Sequence, residues 1–319
     1  MTAAAKTGPV IINQINPAFG AALAAHPSAP RVIDHLDSAR PWDLPEGAEI
    51  LITRALPAWR GAAPTAADLG SLKWEQTYSA GVEIYPAWLT EGRLLTCGRG
   101  LNSDQIGEYA LAAMLRIEKD LSALRVTARA AWKDAPVGSL RGKVLGLIGF
   151  GAIGRETATR ARAFGMQVLV SRRGPWVSDE PGITACASPA EVIAAADHLV
   201  IAAPLTPQTQ GLVDAALLAR AKPGLHLVNV SRGGLVDQEA LIDALDSGRL
   251  AAATLDVTTP EPLPEGHPLW THPKVLLTPH ISYKGGDDET RFRAKVLANL
   301  DAYLGGREMI DLVDSGRGY

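Results

Sequence analysis

Three ionisable residues, Arg232, Glu261 and His280, each follow a short apolar run or the loop behind it, and as a set they suit acid–base chemistry on an anion. A guanidinium binds a carboxylate through two parallel hydrogen bonds. An imidazole moves protons near neutral pH, and a carboxylate bonded to its second nitrogen fixes its tautomer. Singly, each residue is more often solvated surface or a structural cap. Together they predict a substrate anchor in Arg232, an orienting group in Glu261 and a proton donor in His280.

The segment 149–154, GFGAIG, matches the pattern G-x-G-x-x-G and predicts a dinucleotide-binding turn. The apolar run 143–148 precedes it and a helix-forming run follows it, which is the context that the pattern requires. Gly149 permits the tight turn, Gly151 lets the backbone approach a pyrophosphate, and Gly154 lets the helix pack closely on the strand. A purely structural glycine-rich turn is the alternative. The predicted cofactor contacts are Gly149, Gly151, Ala152, Ile153 and Gly154.

The residues after the second predicted strand of this array bear on which dinucleotide binds. NAD sites usually place an acidic residue about 20 positions after the first glycine, where it accepts from the ribose 2′-hydroxyl. Here Ser171, Arg172 and Arg173 occupy that place, and the first acids, Asp179 and Glu180, come later. Arginine binds phosphate oxygens through a planar fork of donors. The triplet therefore predicts a preference for NADP(H), with NAD(H) as the alternative cofactor and two solvated arginines as the alternative interpretation.

An array of alternating strands and helices must position these residues. Short apolar runs separated by helical segments favour a doubly wound parallel sheet, in which ligands bind at the carboxyl ends of the strands. The six predicted strands are Val144–Ile148, Val168–Ser171, His198–Ala202, His226–Val230, Ala252–Val257 and Val275–Thr278. The helices predicted between the first five of them are Ile153–Phe164, Pro189–Ala195, Ala215–Ala219 and Gln238–Ser247.

A long amphipathic helix precedes this array. From Asp104, apolar residues recur every three or four positions as far as Leu124, and Asn102 or Ser103 is the predicted N-cap. A helix of this length can connect two domains. The other predicted elements are the strands Val10–Asn13, Arg31–His35 and Ile50–Thr53 and the helices Ala18–Ala25 and Asp287–Leu304.

Composition narrows the class of protein. The 319 residues favour two domains, and 47% hydrophobic with 20% charged residues is a globular composition that excludes a disordered chain. The net charge of −3 argues against a nucleic-acid or polybasic membrane surface. Cys97 and Cys186 are far apart, so neither a disulfide framework nor a metal site is expected. The sequence offers no signal-peptide core and no apolar run of 18 residues, which predicts a cytoplasmic protein without a membrane segment.

Several motifs, in order along most of the chain, resemble those of the D-isomer-specific 2-hydroxyacid dehydrogenases. Their order and spacing make the resemblance specific, and within that family it is strongest to the glyoxylate/hydroxypyruvate reductase branch. The motifs are SAGV at 79–82, GFGAIG at 149–154, APLTPQT at 203–209, NVSRGGLV at 229–236, LDV at 255–257, EPL at 261–263 and TPHIS at 278–282.

The resemblance implies roles for individual residues. His280 corresponds to the general acid/base, Glu261 to the carboxylate paired with it, and Arg232 to the residue that anchors the substrate. The backbone N–H groups of Gly81 and Val82 correspond to the loop that holds the substrate carboxylate. The implied cofactor-binding set also contains Ala203, Pro204, Thr209, Val230, Ser231, Asp256 near the nicotinamide carboxamide, His280 and Ser282.

The resemblance also implies an architecture of two doubly wound parallel-sheet domains. A Rossmann nucleotide-binding domain, residues 104–284, would be inserted into a flavodoxin-like substrate domain formed by residues 1–103 and 285–319. The helix from Asp104 and the segment after it would form a dimer arm. A homodimer through the nucleotide-binding domain is therefore expected.

The implied reaction is hydride transfer between nicotinamide and C2 of a small 2-keto or 2-hydroxy acid, expected to run as an NADPH-dependent reduction of the glyoxylate/hydroxypyruvate type. A catalytically silent, dinucleotide-sensing protein of the same fold is the main alternative, because scaffold alone does not fix function. Formate oxidation is disfavoured because that branch pairs its histidine with glutamine, where this chain has Glu261. Phosphite oxidation is disfavoured because that branch has a lysine where Ala80 stands.

Overall fold

The computed structural model describes residues 8–60, 69–314 and 316–319. The chain divides into two compact units, Met1–Leu101 with Asp287–Tyr319, and Asn102–Gly286. Residues 1–7, on which the expected absence of a signal peptide partly rests, lie outside the described residues. Within the described part of the chain, no helix has both the length and the apolar character that crossing a membrane requires.

The first unit is built on a five-stranded parallel sheet. Its strands are β1 (Val10–Asn13), β2 (Arg31–Asp34), β3 (Ile50–Thr53), β4 (Trp74–Thr77) and β5 (Leu94–Thr96), and its helices are α1 (Pro17–Ala24), α2 (Ala87–Thr90) and α8 (Asp288–Leu304). The strand order, β2-β1-β3-β4-β5, is the flavodoxin-like order. The predicted fold of this unit is therefore confirmed.

Both faces of this sheet are buried, as a parallel sheet requires. Ile50 and Ile52 pack into one hydrophobic cluster with Phe19 of α1 and Phe292 of α8, whose rings stack with centroids 5.4 Å apart. Leu51, between them in the strand, packs into a second cluster on the opposite face. Helix α1 begins here because the side chain of Asn16 caps it by accepting a hydrogen bond from the N–H of Phe19. Pro17 occupies the first helical position, where a backbone N–H has no partner within the helix.

One buried side chain of the first unit is ionisable. Glu75 in β4 is 0% exposed, and neither carboxylate oxygen has a hydrogen-bond partner among the described residues. Burial raises the pKa of Glu75 well above its usual value, against a smaller lowering by Arg93. The group therefore keeps its proton at a pH where a solvated glutamate has lost it.

The second unit is built on a seven-stranded parallel sheet. Its strands are β6 (Val144–Ile148), β7 (Gln167–Ser171), β8 (Ile183–Ala185), β9 (His198–Ile201), β10 (Leu225–Asn229), β11 (Leu250–Leu255) and β12 (Val275–Leu277), and its helices are α3 (Ser103–Lys119), α4 (Ala152–Ala163), α5 (Pro189–Ala195), α6 (Ala215–Leu218) and α7 (Gln238–Asp246). Read from β8 to β12, the order is β8-β7-β6-β9-β10-β11-β12, which is the Rossmann order with a seventh strand. The chain reverses direction across the sheet between β6 and β9, where dinucleotides bind in such folds.

The predicted helices and strands of the second unit agree with the structure to within one or two residues, except at two places. The strand β8 was not predicted, because it is only three residues long and pairs at the sheet edge with β7. The long helix α3 ends at Lys119, although the predicted periodicity continued to Leu124. Asp120 adopts a left-handed conformation with φ 32° and stops the helix, so Leu121 is left 77% exposed.

Two buried histidines lie at the amino ends of the strands, away from the edge where ligands bind. His198 Nδ1 lies 3.1 Å from His226 Nδ1, and the outer ring nitrogens contact Glu118 at 3.2 Å and Thr254 at 3.0 Å. Burial lowers the pKa of His226 to about 3, helped by His198 and Arg116. The pair is a satisfied part of the core, and the described residues contain no cluster of ligands suited to a metal ion.

Candidate active site

The three ionisable residues predicted from the sequence follow neighbouring strands. Arg232, Glu261 and His280 come after β10, β11 and β12, which are adjacent in the sheet. Since the carboxyl ends of parallel strands meet at one edge, the loops that follow them converge. His280 Nδ1 lies 3.0 Å from Glu261 Oε2, and the two side chains are 40% and 39% exposed. The pair is thus hydrogen-bonded and open to a ligand.

Glu261 is held as a carboxylate by its surroundings. Partial burial alone would raise the pKa of Glu261, but the hydrogen bond and charge of His280, the N–H of Thr258 and the nearby Arg232 outweigh it and lower that pKa. The Thr258 N–H donates to Glu261 Oε1 at 3.1 Å, while Oε2 faces His280. Each carboxylate oxygen therefore has its own donor, and the side chain is fixed between the loop and the imidazole.

His280 itself lies in the left-handed region, with φ 51°. Such a conformation is strained for a residue other than glycine and persists only when the surroundings over-determine it. Asp256 provides these contacts. Its main-chain oxygen accepts from the His280 N–H at 2.9 Å, and its two carboxylate oxygens accept from the N–H groups of Ile281 at 2.8 Å and Ser282 at 2.9 Å. The structure thus gives Asp256, expected near the cofactor, a direct role in holding the His280 loop.

Arg232 is positioned by a compact turn after β10. The side-chain amide of Asn229 donates to the main-chain oxygen of Arg232 at 2.9 Å, and Arg232 Nη1 donates to the main-chain oxygen of Ser231 at 2.7 Å. Gly233 follows, where a Cβ atom would lie 2.0 Å from the carbonyl carbon of Thr258. Only glycine permits this close approach, which brings the Arg232 turn against the loop that carries Glu261.

The glycine loop has the shape that a dinucleotide requires. Gly149 has φ 101°, and a Cβ atom there would lie 2.6 Å from the backbone after β9. A Cβ atom on Gly154 would lie 2.5 Å from the Gly149 carbonyl oxygen, so the helix start packs directly on the turn. At Gly151, by contrast, a Cβ atom would have open space for 4 Å around it among the described residues. The first N–H groups of α4, over Ala152 and Ile153, therefore face a region that can admit a pyrophosphate.

The loops after β9 and β10 close one side of this region. The hydroxyl of Ser231 donates to the Ala203 carbonyl oxygen at 2.5 Å, and the hydroxyl of Thr209 donates to the Pro204 carbonyl oxygen at 2.7 Å. These bonds hold Ala203, Pro204, Thr209 and Ser231 of the predicted set in the loops after adjacent strands, and Val230, also in that set, is buried directly after β10. Ser282, also in the predicted set, is buried beside Asp256.

Arg172, the middle residue of the Ser171–Arg173 triplet, borders a cavity of about 450 Å³. Ser171 ends β7 and is buried, and its carbonyl oxygen accepts from the N–H of Gly149 at 2.8 Å. The guanidinium carbon of Arg172 lies 5.7 Å from the Trp176 ring centroid, within the range of a cation–π contact. The Trp176 ring in turn lies 5.4 Å from Phe150 in the glycine loop. The cavity is lined by Arg172, Gly174, Pro175, Trp176, Ala185, Cys186 and Ala187.

Gly81 and Val82 belong to the other unit, in the loop that follows β4. The Ser79 hydroxyl donates to the Gly81 carbonyl oxygen at 2.7 Å, and the Val82 carbonyl oxygen accepts from the Tyr85 N–H at 3.1 Å. Neither the Gly81 N–H nor the Val82 N–H donates to another described residue. The loop is thus held through its carbonyl groups, and both N–H groups are available to an anion.

Sequence reasoning missed three residues around this site. Trp176 follows the Ser171–Arg173 triplet in a segment for which no role was predicted, and its contacts with Arg172 and Phe150 show its place. Thr278 was assigned to the end of a strand and Tyr109 lies within the predicted long helix, yet their hydroxyl oxygens lie 2.6 Å apart. The two residues are 169 positions apart, so the local sequence pattern of neither segment predicts this contact.

The geometry is that of a nucleotide-binding oxidoreductase, and comparison with known proteins gives the family. Residues 111–282 match the family model described as "D-isomer specific 2-hydroxyacid dehydrogenase, NAD binding domain". The chain is also 34% identical over 239 residues to glyoxylate/hydroxypyruvate reductase A of Serratia proteamaculans, covering 70% of this chain and 75% of that protein. The chain therefore belongs to the D-isomer-specific 2-hydroxyacid dehydrogenase family and is an oxidoreductase.

Solved structures support the same assignment. A family member from Xanthobacter autotrophicus, in complex with NADPH and MES, has a TM-score of 0.82 and 27% identity, covering 98% of this chain and all of that chain. An NADPH-dependent glyoxylate/hydroxypyruvate reductase from Sinorhizobium meliloti, in complex with NADP and sulfate, has a TM-score of 0.78 and 25% identity with the same coverage. The predicted fold of a Rossmann unit with a flavodoxin-like unit is thus confirmed.

Proposed function

We propose that the protein is an NADPH-dependent reductase of small 2-keto acids, of the glyoxylate/hydroxypyruvate type. The observation that carries this proposal is the His280–Glu261 hydrogen bond of 3.0 Å beside the Arg232 turn. A proton donor fixed next to an anion-binding guanidinium suits a substrate with a carboxylate adjacent to a carbonyl. The names of the relatives from Serratia and Sinorhizobium support the same substrate class.

Each residue of the site has a separate role in such a reduction. When bound, the dinucleotide supplies the hydride for C2 of the substrate. His280, protonated and bonded to Glu261 through Nδ1, donates a proton from Nε2 to the C2 oxygen as negative charge develops there. Arg232 binds the carboxylate of the substrate. His280 ends the step neutral, and Glu261 fixes its tautomer throughout.

The residues around the glycine loop fit a dinucleotide, and those after β7 favour its phosphorylated form. Gly151 leaves open space at the start of α4, where the helix dipole favours a pyrophosphate. Arg172 borders the neighbouring cavity and is braced against the Trp176 ring, and no acid stands between Ser171 and Ser178. A 2′-phosphate thus meets cations where NAD sites usually place a carboxylate.

We expect the Arg172→Ala variant to lose about ten- to a hundredfold in affinity for NADPH and to bind NADH nearly as the wild type does. A charge-assisted hydrogen bond contributes roughly 1.5–3 kcal/mol, which corresponds to this change. The measurement is the ratio of kcat/KM for the two cofactors. Arg220→Ala is the matched control, since it removes the same charge from an exposed position before β10, at the opposite end of the sheet. An unchanged ratio in Arg172→Ala would remove this residue from cofactor selection.

The carboxylate of Glu261 gives a test of the proton donor. The hydrogen bond and charge of His280 are the main influences that lower the pKa of Glu261, so the carboxylate is the charged partner of the imidazolium. In Glu261→Gln a neutral amide replaces that carboxylate and the imidazolium loses its charged partner, so the rate of reduction should decline at a lower pH than in the wild type. The measurement is the pH profile of kcat/KM for NADPH oxidation. Superimposable profiles would contradict the pairing.

The proposal as a whole is tested by NADPH oxidation across a panel of 2-keto acids, from glyoxylate and hydroxypyruvate to bulky aryl pyruvates. Turnover with small 2-keto acids is the expected result. Binding of NADPH without turnover of any member would favour the silent, dinucleotide-sensing alternative, although the formed His280–Glu261 pair argues against that function.

We also propose a homodimer formed through the nucleotide-binding unit. Every residue from Asp120 to Ser139 is exposed except Leu124, which is half-buried, so this segment has almost no packing within its own chain. Leu121, Val126, Trp132 and Val137 are among its exposed apolar side chains, and Trp132 is 82% exposed. Such a segment is suited to wrapping a second copy.

The two cysteines are free, which is in keeping with a cytoplasmic location.

A further inference from the structure

A chain of hydrogen bonds leads from helix α3 to the loop that carries His280. Tyr109 Oη lies 2.6 Å from Thr278 Oγ1, and Thr278 Oγ1 lies 2.6 Å from Asp256 Oδ1. Asp256 in turn binds the N–H groups of three successive residues, His280, Ile281 and Ser282. All members of the chain belong to the Asn102–Gly286 unit. Neither Tyr109 nor Thr278 belongs to the acid–base or cofactor residues described above.

The direction of each bond follows from counting protons. A carboxylate only accepts, so Thr278 donates its single hydroxyl proton to Asp256. The Thr278 oxygen can then only accept, through one of its two lone pairs, and the Tyr109 hydroxyl must be the donor to it. Burial raises the pKa of Tyr109, and the charge of Asp256 adds to this against the lowering effect of Thr278, so the hydroxyl keeps the proton that it donates. Tyr109, Thr278 and Asp256 thus form a polarised series.

The series ends at the loop of His280, whose backbone conformation is strained. With φ 51°, His280 depends on Asp256 to keep its backbone in place. Asp256 Oδ1 accepts from both Thr278 and the Ile281 N–H, so the Thr278 hydroxyl fixes the position of the oxygen that holds the loop. The Tyr109 hydroxyl fixes the orientation of Thr278. A small rotation of Asp256 would move the imidazole relative to Glu261 and to any substrate.

We propose that Tyr109 and Thr278 are positioning residues for His280, acting through Asp256. This inference rests on the proposed reductase function, because it assigns the two hydroxyls to the placement of its proton donor. Neither residue touches the reacting atoms. Their contribution is to the geometry in which the proton is transferred, and therefore to kcat rather than to the binding of substrate or cofactor.

The Thr278→Val variant keeps the shape of the side chain and removes the hydroxyl. We expect kcat for 2-keto acid reduction to fall between about ten- and a hundredfold, as a small displacement of a catalytic group does, with KM for both substrates within about twofold of the wild type. Thr278→Ser restores the hydroxyl and should restore kcat. A structural role alone would not produce this split between kcat and KM, nor rescue by the smaller residue.

Tyr109→Phe removes only the outer donor and is the milder variant. We expect kcat to fall by about two- to tenfold, the contribution of one neutral hydrogen bond. Tyr303→Phe is the matched control, since Tyr303 Oη also donates a hydrogen bond, to Glu49 at 2.8 Å, but in the other unit of the chain. It should keep the wild-type kcat. If Thr278→Val does not fold, Tyr109→Phe against Tyr303→Phe decides the question.

The outcomes separate this inference from the function on which it rests. A wild-type protein that binds NADPH and reduces no 2-keto acid overturns the proposed function. An active wild type whose kcat is unchanged in Thr278→Val, or in Tyr109→Phe, overturns the positioning role alone. A loss of kcat that Thr278→Ser fails to restore also overturns it, because the hydroxyl would then not be the group that matters.

Discussion

Replacing His280 by asparagine should lower kcat for 2-keto acid reduction by about 10²–10⁴-fold, which is the usual contribution of general acid catalysis. Asparagine is the appropriate replacement because it tolerates the left-handed conformation that His280 adopts, with φ 51°. The backbone bonds to Asp256 can then persist while the imidazole is absent. Fluorescence titration with NADPH checks that the variant still binds the dinucleotide.

The chain offers a matched control for this variant. His272 also pairs with a carboxylate, since its Nε2 lies 3.1 Å from Asp246 Oδ1, but it precedes β12 whereas His280 follows it. His272→Asn removes an imidazole–carboxylate pair from the opposite end of the same strand and should keep the wild-type kcat. Equal losses in the two variants would show that the effect is one of folding and would remove His280 from the chemistry.

The second large effect is expected at Arg232. Arg232→Lys keeps the positive charge and loses the planar fork, so kcat/KM for the keto acid should fall by about ten- to a hundredfold, through both a higher KM and a lower kcat. The affinity for NADPH should stay near that of the wild type. Arg249→Lys, at an exposed position before β11, makes the same change at the other end of the sheet and serves as the control. Wild-type kinetics in Arg232→Lys would exclude Arg232 as the substrate anchor.

Much of the nucleotide-binding unit could be predicted because its elements follow local rules. The glycine loop stands between an apolar strand and a helix, and Gly149 and Gly154 have the steric roles that the motif predicts. The contact between His280 and Glu261 could be anticipated because consecutive parallel strands end at one edge. The individual roles of the site residues stay predictions that the variants above test.

The elements and contacts that the sequence did not predict were missed for physical reasons. The strand β4 has the sequence WEQT, whose polar residues do not predict a strand that is buried on both sides. Burial there raises the pKa of Glu75 well above its usual value. The end of α3 was misplaced because Asp120 stops the helix in a left-handed conformation that glycine or asparagine usually provides. The bond between Tyr109 and Thr278 could not be predicted, because tertiary packing alone brings the two residues together.

The strand order has a consequence for redesign. Arg172 follows β7 and Arg232 follows β10, and β6 and β9 lie between these strands, so the two positions are separated by three strand spacings, roughly 14 Å. Free-energy changes at sites more than roughly 7–10 Å apart with no shared partner usually add. Losses in cofactor selection and in substrate anchoring should therefore be independent, and their logarithms should sum in the double variant. With the proposed roles, exchanging the cofactor preference through residues after β7 should need no compensating change in the loops after β10, β11 and β12.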